Sequence, residues 1–328
     1  MKLEYQWFFF IFFLLNFFLF YLYRIIAKKI GIIDNSKKFR NPVTPTSAGI
    51  IIYLNFLFFF LAIYFFEINL KKNLPNNYIY TFTFVTILII ISLIDDSRPI
   101  DPKIRLFFQM ICVYGSLSSI PLFSLQLPLK ISIFFCLIAW VYIINITNFT
   151  DGSDGFLSTN TIFVFLNVIF LNHYLQLDLF SKYISLLLLP SLFVFTLFFN
   201  RPNAKLYLGD TGSIFIGFIN GYLFLEILIA NKLSLAISLL IYPIVDCSRA
   251  LFKKIVQGKM PWADTSNYSF LQPTIKKNKN KVFVFYTNVI FNIINSLLIL
   301  LQIIFGWNYI LLNFLLTLVT IKIYEKIK

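Results

Sequence analysis

The stretch Phe84-Val-Thr-Ile-Leu-Ile-Ile-Ile-Ser-Leu-Ile94 is an unbroken apolar run, and Asp95 and Asp96 follow it directly. A second long apolar run covers residues 7–23. Strands of a membrane β-barrel alternate apolar and polar residues, so these continuous runs exclude a porin-type barrel. They are typical of α-helices that cross a lipid bilayer, which need about 20 apolar residues each.

The composition of the whole chain agrees with these two runs. Of its 328 residues, 59% are hydrophobic and 13% are charged, whereas a soluble domain is about 45–50% apolar and about 25% charged. The chain is therefore too apolar for a soluble globular protein or a disordered one. Its three cysteines lie in apolar runs and it has one histidine. These counts argue against a disulfide framework, a histidine-based zinc site and a histidine-based hydrolase triad.

Charges, prolines and Asn clusters divide the sequence into about eleven apolar stretches, so we predict an all-α polytopic membrane protein with about eleven transmembrane helices. The predicted spans are residues 6–26, 47–66, 78–94, 104–123, 130–147, 157–174, 183–199, 211–230, 233–251, 282–304 and 306–323. No linker, composition shift or repeat divides the chain. Residues 1–328 are therefore expected to form one membrane-embedded domain, with a cytoplasmic loop at about 252–281.

The basic residues predict the orientation. Of the 28 Lys and Arg residues, 22 fall in the odd-numbered loops and at the C-terminus. Positive charge retains a loop in the cytoplasm, so the N-terminus is expected outside and the C-terminus inside. This bias also explains the net charge of +14 without a nucleic-acid partner. Acidic residues contribute little to orientation, yet nine of the ten aspartates fall on the predicted cytoplasmic side.

The first acidic segment is residues 93–109, where Asp95 and Asp96 end the third predicted helix. Carboxylates at a helix C-terminus are unfavourable by about 0.3–1 kcal/mol each, because they meet the negative end of the helix dipole. A bound cation, or the nearby Arg98, Lys103 and Arg105, would offset this cost. The alternative is a solvated helix end stopped by Pro99.

The second acidic segment is Asn145-Ile-Thr-Asn-Phe-Thr-Asp-Gly-Ser-Asp-Gly155, which has no Lys or Arg although it lies on the positive side. Two Asn and two Asp at three-residue steps would share one face if the helix continued through them. Ligands that offer only oxygen suit a hard cation such as Mg²⁺. The alternative is a polar turn, because Asp-Gly is a common turn pair.

The third acidic segment is Asn200-Arg-Pro-Asn-Ala-Lys-Leu-Tyr-Leu-Gly-Asp-Thr-Gly-Ser213, which opens the eighth predicted helix. Exposed amides at a helix start bind phosphate oxygens, and Asp210 would hold a metal ion beside them. The alternative is that Asp210 or Thr211 is an ordinary N-cap. Further along, the lysine-rich run at residues 276–281 is expected to contact lipid headgroups.

Taken together, these segments resemble the polyprenyl-phosphate N-acetylhexosamine-1-phosphate transferase family (glycosyltransferase family 4), in the bacterial branch that uses undecaprenyl phosphate. The order and spacing of three motifs carry the resemblance. They are Asp95-Asp96 with Arg105 and Gln109, the segment 145–155 and the segment 200–213, with weaker matches at Asp34, Thr44-Pro45, Gly49 and Asp246.

The resemblance implies Mg²⁺-dependent transfer (Mn²⁺ being the alternative ion) of a sugar-1-phosphate from a UDP-sugar to polyprenyl phosphate, releasing UMP. It implies an enzyme of the bacterial inner membrane, with its active site on the cytoplasmic face, that initiates a cell-envelope glycan such as O-antigen. The implied partners are the UDP-sugar, the lipid phosphate and membrane lipids, with no nucleic acid, and a homodimer is left open.

The resemblance also implies roles for individual residues. Asp95 and Asp96 would position or deprotonate the attacking phosphate, and Asn148 and Asp210 would bind the metal ion. The implied substrate-binding residues are Arg105 near the lipid phosphate, Asp154 near the nucleotide, and Asp151, Asn200, Lys205 and Asn267. Direct attack is favoured over a covalent intermediate, because a phosphate monoester is largely ionised near neutral pH.

One departure concerns the ninth loop, where the family often carries a histidine pair. This chain has Asp264 and Asn267 at those places, and a histidine expected near Pro42 is also missing. Asparagine hydrogen-bonds sugar hydroxyls but brings no positive charge, so Lys253, Lys254 or Lys259 would have to supply it. The departure leaves the donor open and counts against the peptidoglycan-type enzyme.

Two other functions stay open at this point. A transporter or flippase of an anionic lipid or sugar phosphate would also carry acidic residues, but transporters usually place them near the membrane midplane in repeated halves. A non-catalytic paralogue that still binds nucleotide is compatible with the missing histidines.

Overall fold

The computed structural model describes residues 3–34, 44–69, 77–125, 127–175, 177, 179–260, 267–276 and 280–326. Within these residues the fold is helical, and its only β-structure is an isolated bridge between Ile33 and Pro45. The α-helices of this part of the chain are α1 (Leu3–Ile30), α2 (Gly49–Asn69), α3 (Asn77–Ser97), α4 (Pro102–Ser116), α5 (Leu129–Thr150), α6 (Phe156–Leu175), α7 (Leu179–Val194), α8 (Gly209–Ile229), α9 (Leu233–Leu239), α10 (Ile241–Val256), α11 (Gln272–Lys276), α12 (Lys281–Phe305) and α13 (Ile310–Lys326).

The prediction of an all-α, multi-pass membrane protein is confirmed. Seven helices in the described ranges are long and apolar enough to cross a membrane, or eight if α9 and α10, bent by 75°, form one span. Each of the eleven predicted spans overlaps a helix, but α4 has 15 residues and α13 has 17. The count of eleven, the orientation of the termini and the single-domain organisation stay predictions. Part of the predicted loop at about 252–281 is helical, because α10 extends to Val256 and α11 lies within it.

Helix α8 is the centre of the bundle. In its apolar window 89% of the residues are buried, compared with 22% for α1. A Cβ atom on Gly49 of α2 would lie 2.0 Å from the Cα of Gly212 on α8, so only glycine allows these two backbones to touch. On another side, Trp140 of α5 donates its indole N–H to the Phe218 carbonyl at 2.9 Å. Close backbone packing of this kind holds α8 in place relative to α2 and α5, and α8 in turn positions the site residues that it carries.

Five helix ends form the site, and one of them is the start of α8 at Gly209. Helix α3 ends at Ser97, and α4 begins after Asp101, whose side chain accepts the Lys103 N–H at 2.7 Å as an N-cap. Helix α5 ends at Thr150. Helix α7 continues as a π-helical turn that ends at Asn200.

The expectation that Asn145, Asn148, Asp151 and Asp154 share one helix face is wrong. Helix α5 ends before the second pair, with Asp151 at its C-cap, and Asp154 lies in the turn to α6. Gly155 closes this turn at a φ of +70°, a backbone conformation that glycine adopts readily. The polar turn is therefore confirmed for residues 151–155, and metal binding by the segment stays a prediction.

Candidate active site

The centre of the site is a group of charged side chains from α3, α4 and α8, which we call the acidic cluster: Asp95, Asp96, Asp210 and Arg105. One guanidinium nitrogen of Arg105, Nη1, lies 2.5 Å from Oδ2 of Asp95 and 2.6 Å from Oδ2 of Asp210. The other oxygen of Asp95 accepts the Ile100 N–H at 2.7 Å. The fold thus brings the first and third acidic segments together, and two carboxylates share one cation.

Asp96 accepts hydrogen bonds from the start of α8. Its Oδ1 accepts the Asp210 N–H at 2.8 Å, and its Oδ2 accepts the hydroxyls of Thr211 and Ser47 at 2.6 and 2.7 Å. Leu208 offers no side-chain cap to α8, so Asp96 acts as the cap from a neighbouring helix. A Cβ on Gly209 would lie 2.6 Å from Oδ2 of Asp96, so glycine makes this approach feasible. Asp96 therefore positions Asp210, and its proposed catalytic role stays a prediction.

These contacts correct the expectation that the start of α8 binds phosphate through its amides. The amides of Asp210 and Thr211 already donate to Asp96, and Gly212 packs against Gly49. The N-cap alternative was closer to the structure, although the cap comes from α3 and not from the helix itself.

Asn148 lies beside the acidic cluster. Its Oδ1 accepts the Ser213 hydroxyl at 2.8 Å, which ties α5 to α8. One turn earlier, Asn145 donates its Nδ2 to Oε1 of Gln109 at 2.7 Å, which ties α5 to α4. The second acidic segment thus joins the other two through the residues that remain helical.

The acidic cluster and Asn148 fit a hard divalent cation by donor type, because Asp95 and Asp210 offer carboxylate oxygens and Asn148 offers an amide oxygen. Among the described residues, no three Asp, Glu, His or Cys side chains are already grouped as ligands around one point. The reason lies in the geometry: the Arg105 guanidinium bridges Asp95 and Asp210. A metal ion held by these two carboxylates has to take the place of the guanidinium.

Asp154 forms a second charged site. Its Oδ2 accepts from Nζ of Lys281 at 2.9 Å and from the N–H groups of Asn203 and Ala204 at 3.1 and 3.2 Å. Its side chain is fully buried, and its Oδ1 has no hydrogen-bond partner in the described part of the chain. Buried polar atoms are nearly always paired. This oxygen is therefore an acceptor that is available to a bound ligand.

Two predicted substrate-binding residues, Asn200 and Lys205, lie near the turn that carries Asp154. Asn200 is buried, its Oδ1 accepts the Gly155 N–H at 3.0 Å, and its Nδ2 donates to the Leu206 carbonyl at 3.0 Å. It braces the turn that carries Asp154. Lys205 lies close by in sequence, and its side chain is exposed. Direct contacts of either residue with substrate stay predictions.

The segment 267–271 approaches the α5–α6 turn from the other side. Asp246 accepts the Ser269 N–H at 2.9 Å and pairs with Arg249 at 2.9 Å, which fixes the segment to α10. Nδ2 of Asn267 has no hydrogen-bond partner in the described residues.

Asp151 is buried at the C-cap of α5. Asp264 and Pro42 lie outside the described residues.

Aromatic rings stack beside this segment. The ring of Tyr268 lies between Phe149 and Phe270, at centroid distances of 5.7 and 6.0 Å, and Phe270 stacks on Phe156 at 4.5 Å. Nζ of Lys254 lies 5.1 Å from the centroid of the Tyr268 ring, which is within cation–π range.

The three candidate lysines differ in their surroundings. Lys254 is 1% exposed. Lys253 lies 3.7 Å from Glu325, and the side chain of Lys259 is exposed. Of the three, Lys254 is the buried one.

Sequence reasoning missed two residues of the site. Ser47 donates to Asp96, and its segment docks on the chain before α8, where the Gly49 N–H donates to the Leu208 carbonyl at 3.0 Å. The weaker motif match at Thr44-Pro45 and Gly49 was the available signal. Lys281 pairs with Asp154, so the expectation that it contacts lipid headgroups is wrong. A buried carboxylate requires a counter-charge, and the sequence does not reveal which lysine supplies it.

Comparison with known proteins supports the sequence resemblance. Residues 78–228 match the family described as glycosyl transferase family 4. A phospho-N-acetylmuramoyl-pentapeptide-transferase of Leuconostoc citreum is 33% identical over 138 residues, which cover 38% of this chain and 41% of the relative. The enzyme of that name from Clostridium acetobutylicum is 29% identical over 197 residues, which cover 53% and 58% of the two chains.

A probable undecaprenyl-phosphate N-acetylglucosaminyl 1-phosphate transferase of Bacillus subtilis is 26% identical over 258 residues, which cover 72% of this chain and 67% of the relative. The matches to the first two relatives span 41% and 58% of their lengths. The family match contains all three acidic segments, from Asp95 to Ser213. The ordered motifs and these matches show that the chain is similar to glycosyl transferase family 4 over residues 78–228.

Proposed function

We propose that this protein transfers a sugar-1-phosphate of the N-acetylhexosamine type from a UDP-sugar to undecaprenyl phosphate and releases UMP. The observation that carries the proposal is the meeting of Asp95, Asp210 and Arg105 at the ends of three different helices. Such a site offers both a cation for a phosphate and carboxylates for a metal ion. The family match over residues 78–228 agrees with this chemistry.

The reaction joins two anions, so the site has to offset their repulsion and hold the reacting atoms in line. Arg105 would bind the lipid phosphate, because guanidinium groups form charge-assisted hydrogen bonds with phosphate oxygens. Asp210 and Asn148 would hold Mg²⁺, or Mn²⁺ in its place, which neutralises charge on the donor diphosphate. Asp95 would position the attacking oxygen of the lipid phosphate.

Little base catalysis is required in this scheme. The second pKa of a phosphate monoester is about 6, so the lipid phosphate already carries the attacking lone pair as an anion near neutral pH. We therefore propose direct attack of the lipid phosphate on the donor, with no covalent enzyme intermediate. Asp96 would act by holding the start of α8, and with it Asp210, in place.

Asp154 would bind the nucleotide. The imide N–H of uracil is a hydrogen-bond donor, and the unpaired Oδ1 of Asp154 is a buried acceptor that matches it. Lys281 would balance the charge of this carboxylate by pairing with its other oxygen. Asn267 has an unpaired amide nitrogen on the facing segment and would hydrogen-bond the sugar.

We propose that the product initiates a cell-envelope glycan such as O-antigen, and that the donor is not the peptidoglycan precursor. Asn267 stands at one place of the family's histidine pair, which favours a donor recognised by neutral hydrogen bonds. The name of the Bacillus subtilis relative specifies an N-acetylglucosaminyl group. The basic loops favour an inner-membrane protein whose acidic cluster faces the cytoplasm.

The test uses the purified full chain in detergent with undecaprenyl phosphate, Mg²⁺ and a panel of UDP-sugars, and measures UMP. We expect UMP release that requires the lipid and one donor or a small set of donors. The matched control pair is Asp210→Asn and Asp101→Asn: the first should be inactive, and the second, at the exposed N-cap of α4, should be active.

Other outcomes point to the other functions. Nucleotide binding without UMP release for every donor would indicate a non-catalytic paralogue. Movement of lipid or sugar phosphate across proteoliposomes without UMP release would indicate a transporter.

A further inference from the structure

We propose that Arg105 is an exchangeable counter-ion that couples the binding of the lipid phosphate to the binding of the divalent cation. In the structure, Arg105 holds Asp95 and Asp210 together. When a phosphate anion binds the guanidinium, the two carboxylates are released to the metal ion. The inference rests on the proposed function. It adds that the phosphate replaces the carboxylates as the partner of Arg105, and that the metal ion replaces Arg105 as the partner of the carboxylates.

The first argument is the geometry of the bridge. A single nitrogen of Arg105 contacts both carboxylates, at 2.5 and 2.6 Å, so one cation already lies between them. A divalent ion held by the same oxygens would meet the guanidinium at very short range, and like charges repel. Arg105 and the metal ion therefore exclude each other from this position.

The second argument is that both oxygens of Asp96 already accept hydrogen bonds. Its oxygens accept from Ser47, from Thr211 and from the Asp210 N–H. It therefore cannot turn towards Arg105 or the metal ion without uncapping α8. The charge exchange is restricted to Asp95 and Asp210.

The third argument is accessibility. The side chains of Asp210 and Arg105 are 32% and 26% exposed, whereas that of Asp95 is 7% exposed. The bridge thus lies at an open edge of the cluster, where ligands reach it. The long side chain of Arg105 can turn towards an anion by rotamer changes alone, without a movement of α4.

The thermodynamic consequence is positive and reciprocal coupling. An anion that removes Arg105 from the carboxylates raises their affinity for the cation, and the cation raises the affinity for the anion by the same factor. Couplings between two ligand sites are typically about 5–150-fold. We expect a value of about tenfold here, because one ion pair is exchanged for another.

The experiment measures Mn²⁺ binding by electron paramagnetic resonance, on the full chain in detergent and without UDP-sugar, so that no turnover is needed. We expect undecaprenyl phosphate to tighten Mn²⁺ binding about tenfold. Undecaprenol, which has no phosphate, should have no effect. Micelles of the lipid phosphate without protein give the background for direct Mn²⁺ binding by the lipid.

Variants separate the counter-ion role from simple metal binding. Arg105→Gln should bind Mn²⁺ more tightly than the native chain when no lipid is present, and the lipid should no longer change its affinity. Arg105→Lys keeps a cation and should retain part of the coupling. Arg98→Gln, at an exposed arginine after α3, should behave as the native chain. Thermal unfolding of each variant confirms that it is folded.

The proposal is overturned if the lipid phosphate leaves Mn²⁺ affinity unchanged in the native chain, or if Arg105→Gln binds Mn²⁺ more weakly. Absence of Mn²⁺ binding under both conditions also overturns it. These results are independent of UMP release. A chain that releases UMP but shows no coupling would refute the counter-ion exchange alone, and the transferase function would stand.

Discussion

Asp96 at the end of α3 accepts the backbone N–H of Asp210 at 2.8 Å and thereby caps the start of α8. These two residues lie 114 positions apart in the chain. The contact places a second carboxylate, that of Asp210, next to Asp95 and Arg105. One hydrogen bond thus links the stability of the central helix to the arrangement of the candidate active site.

Replacement of this cap should affect both stability and activity. Asp96→Ala removes an acceptor from the start of α8, which should cost about 0.5–2 kcal/mol of unfolding free energy. It should also lower UMP release at least tenfold, because Asp210 loses its support. Thermal unfolding and UMP assays check this.

Asp101→Ala is the matched control for Asp96→Ala, because it removes the N-cap of α4 outside the acidic cluster. We expect a similar loss of stability with activity largely kept. Equal losses of activity in the two variants would contradict the positioning role of Asp96.

Asp210→Asn should abolish turnover and leave membrane insertion intact. The amide keeps the shape of the side chain but removes the charge that balances a metal ion. We expect a loss of at least 10²–10³-fold in kcat, about the effect of removing one preorganised charge-stabilising group. UMP release measured at equal amounts of membrane-inserted protein checks this. Native-like turnover would remove Asp210 from the metal site.

Arg105→Ala should mainly weaken the use of the lipid acceptor. A charge-assisted hydrogen bond contributes about 1.5–3 kcal/mol, so its loss should raise the KM for undecaprenyl phosphate by about 10–150-fold. The KM for the UDP-sugar should change far less. Initial rates measured over both substrate concentrations check this. An unchanged dependence on lipid concentration would refute the contact.

Lys281→Met should destabilise the protein strongly. It leaves the buried carboxylate of Asp154 without its ion-pair partner, and breaking a buried pair in this way costs about 3–5 kcal/mol. Lys232→Met, at an exposed lysine before α9, is the control and should stay within about 0.5 kcal/mol of the native chain. Thermal unfolding in detergent compares the two.

The double variant Lys281→Met/Asp154→Leu separates stability from nucleotide binding. Removing both charges should restore much of the stability. The double variant should not bind UMP, because the acceptor for uracil is gone. Titration calorimetry with UMP measures this. Retained UMP affinity in the double variant would contradict the role of Asp154.

The positions of the helices and the residues of the acidic cluster could be predicted from sequence. Apolar runs long enough to cross a bilayer are a local property, and each predicted span overlaps a helix. Asp95, Arg105 and Asp210 were recognised because their order and spacing repeat a family pattern. The end of α5 was predicted less well, because helix and turn compete locally at Asp151 and Gly155.

The amino-acid sequence by itself therefore determined the membrane class, the helical segments and the set of chemically important side chains, because each depends on neighbouring residues. Only the tertiary structure decided which side chains pair. Arg105 bridges two acids, Asp96 caps α8, and Lys281, which lies in a lysine-rich run, neutralises Asp154. Each of these pairings includes a contact between distant helix ends, and packing around α8 sets the distances that select one partner over another.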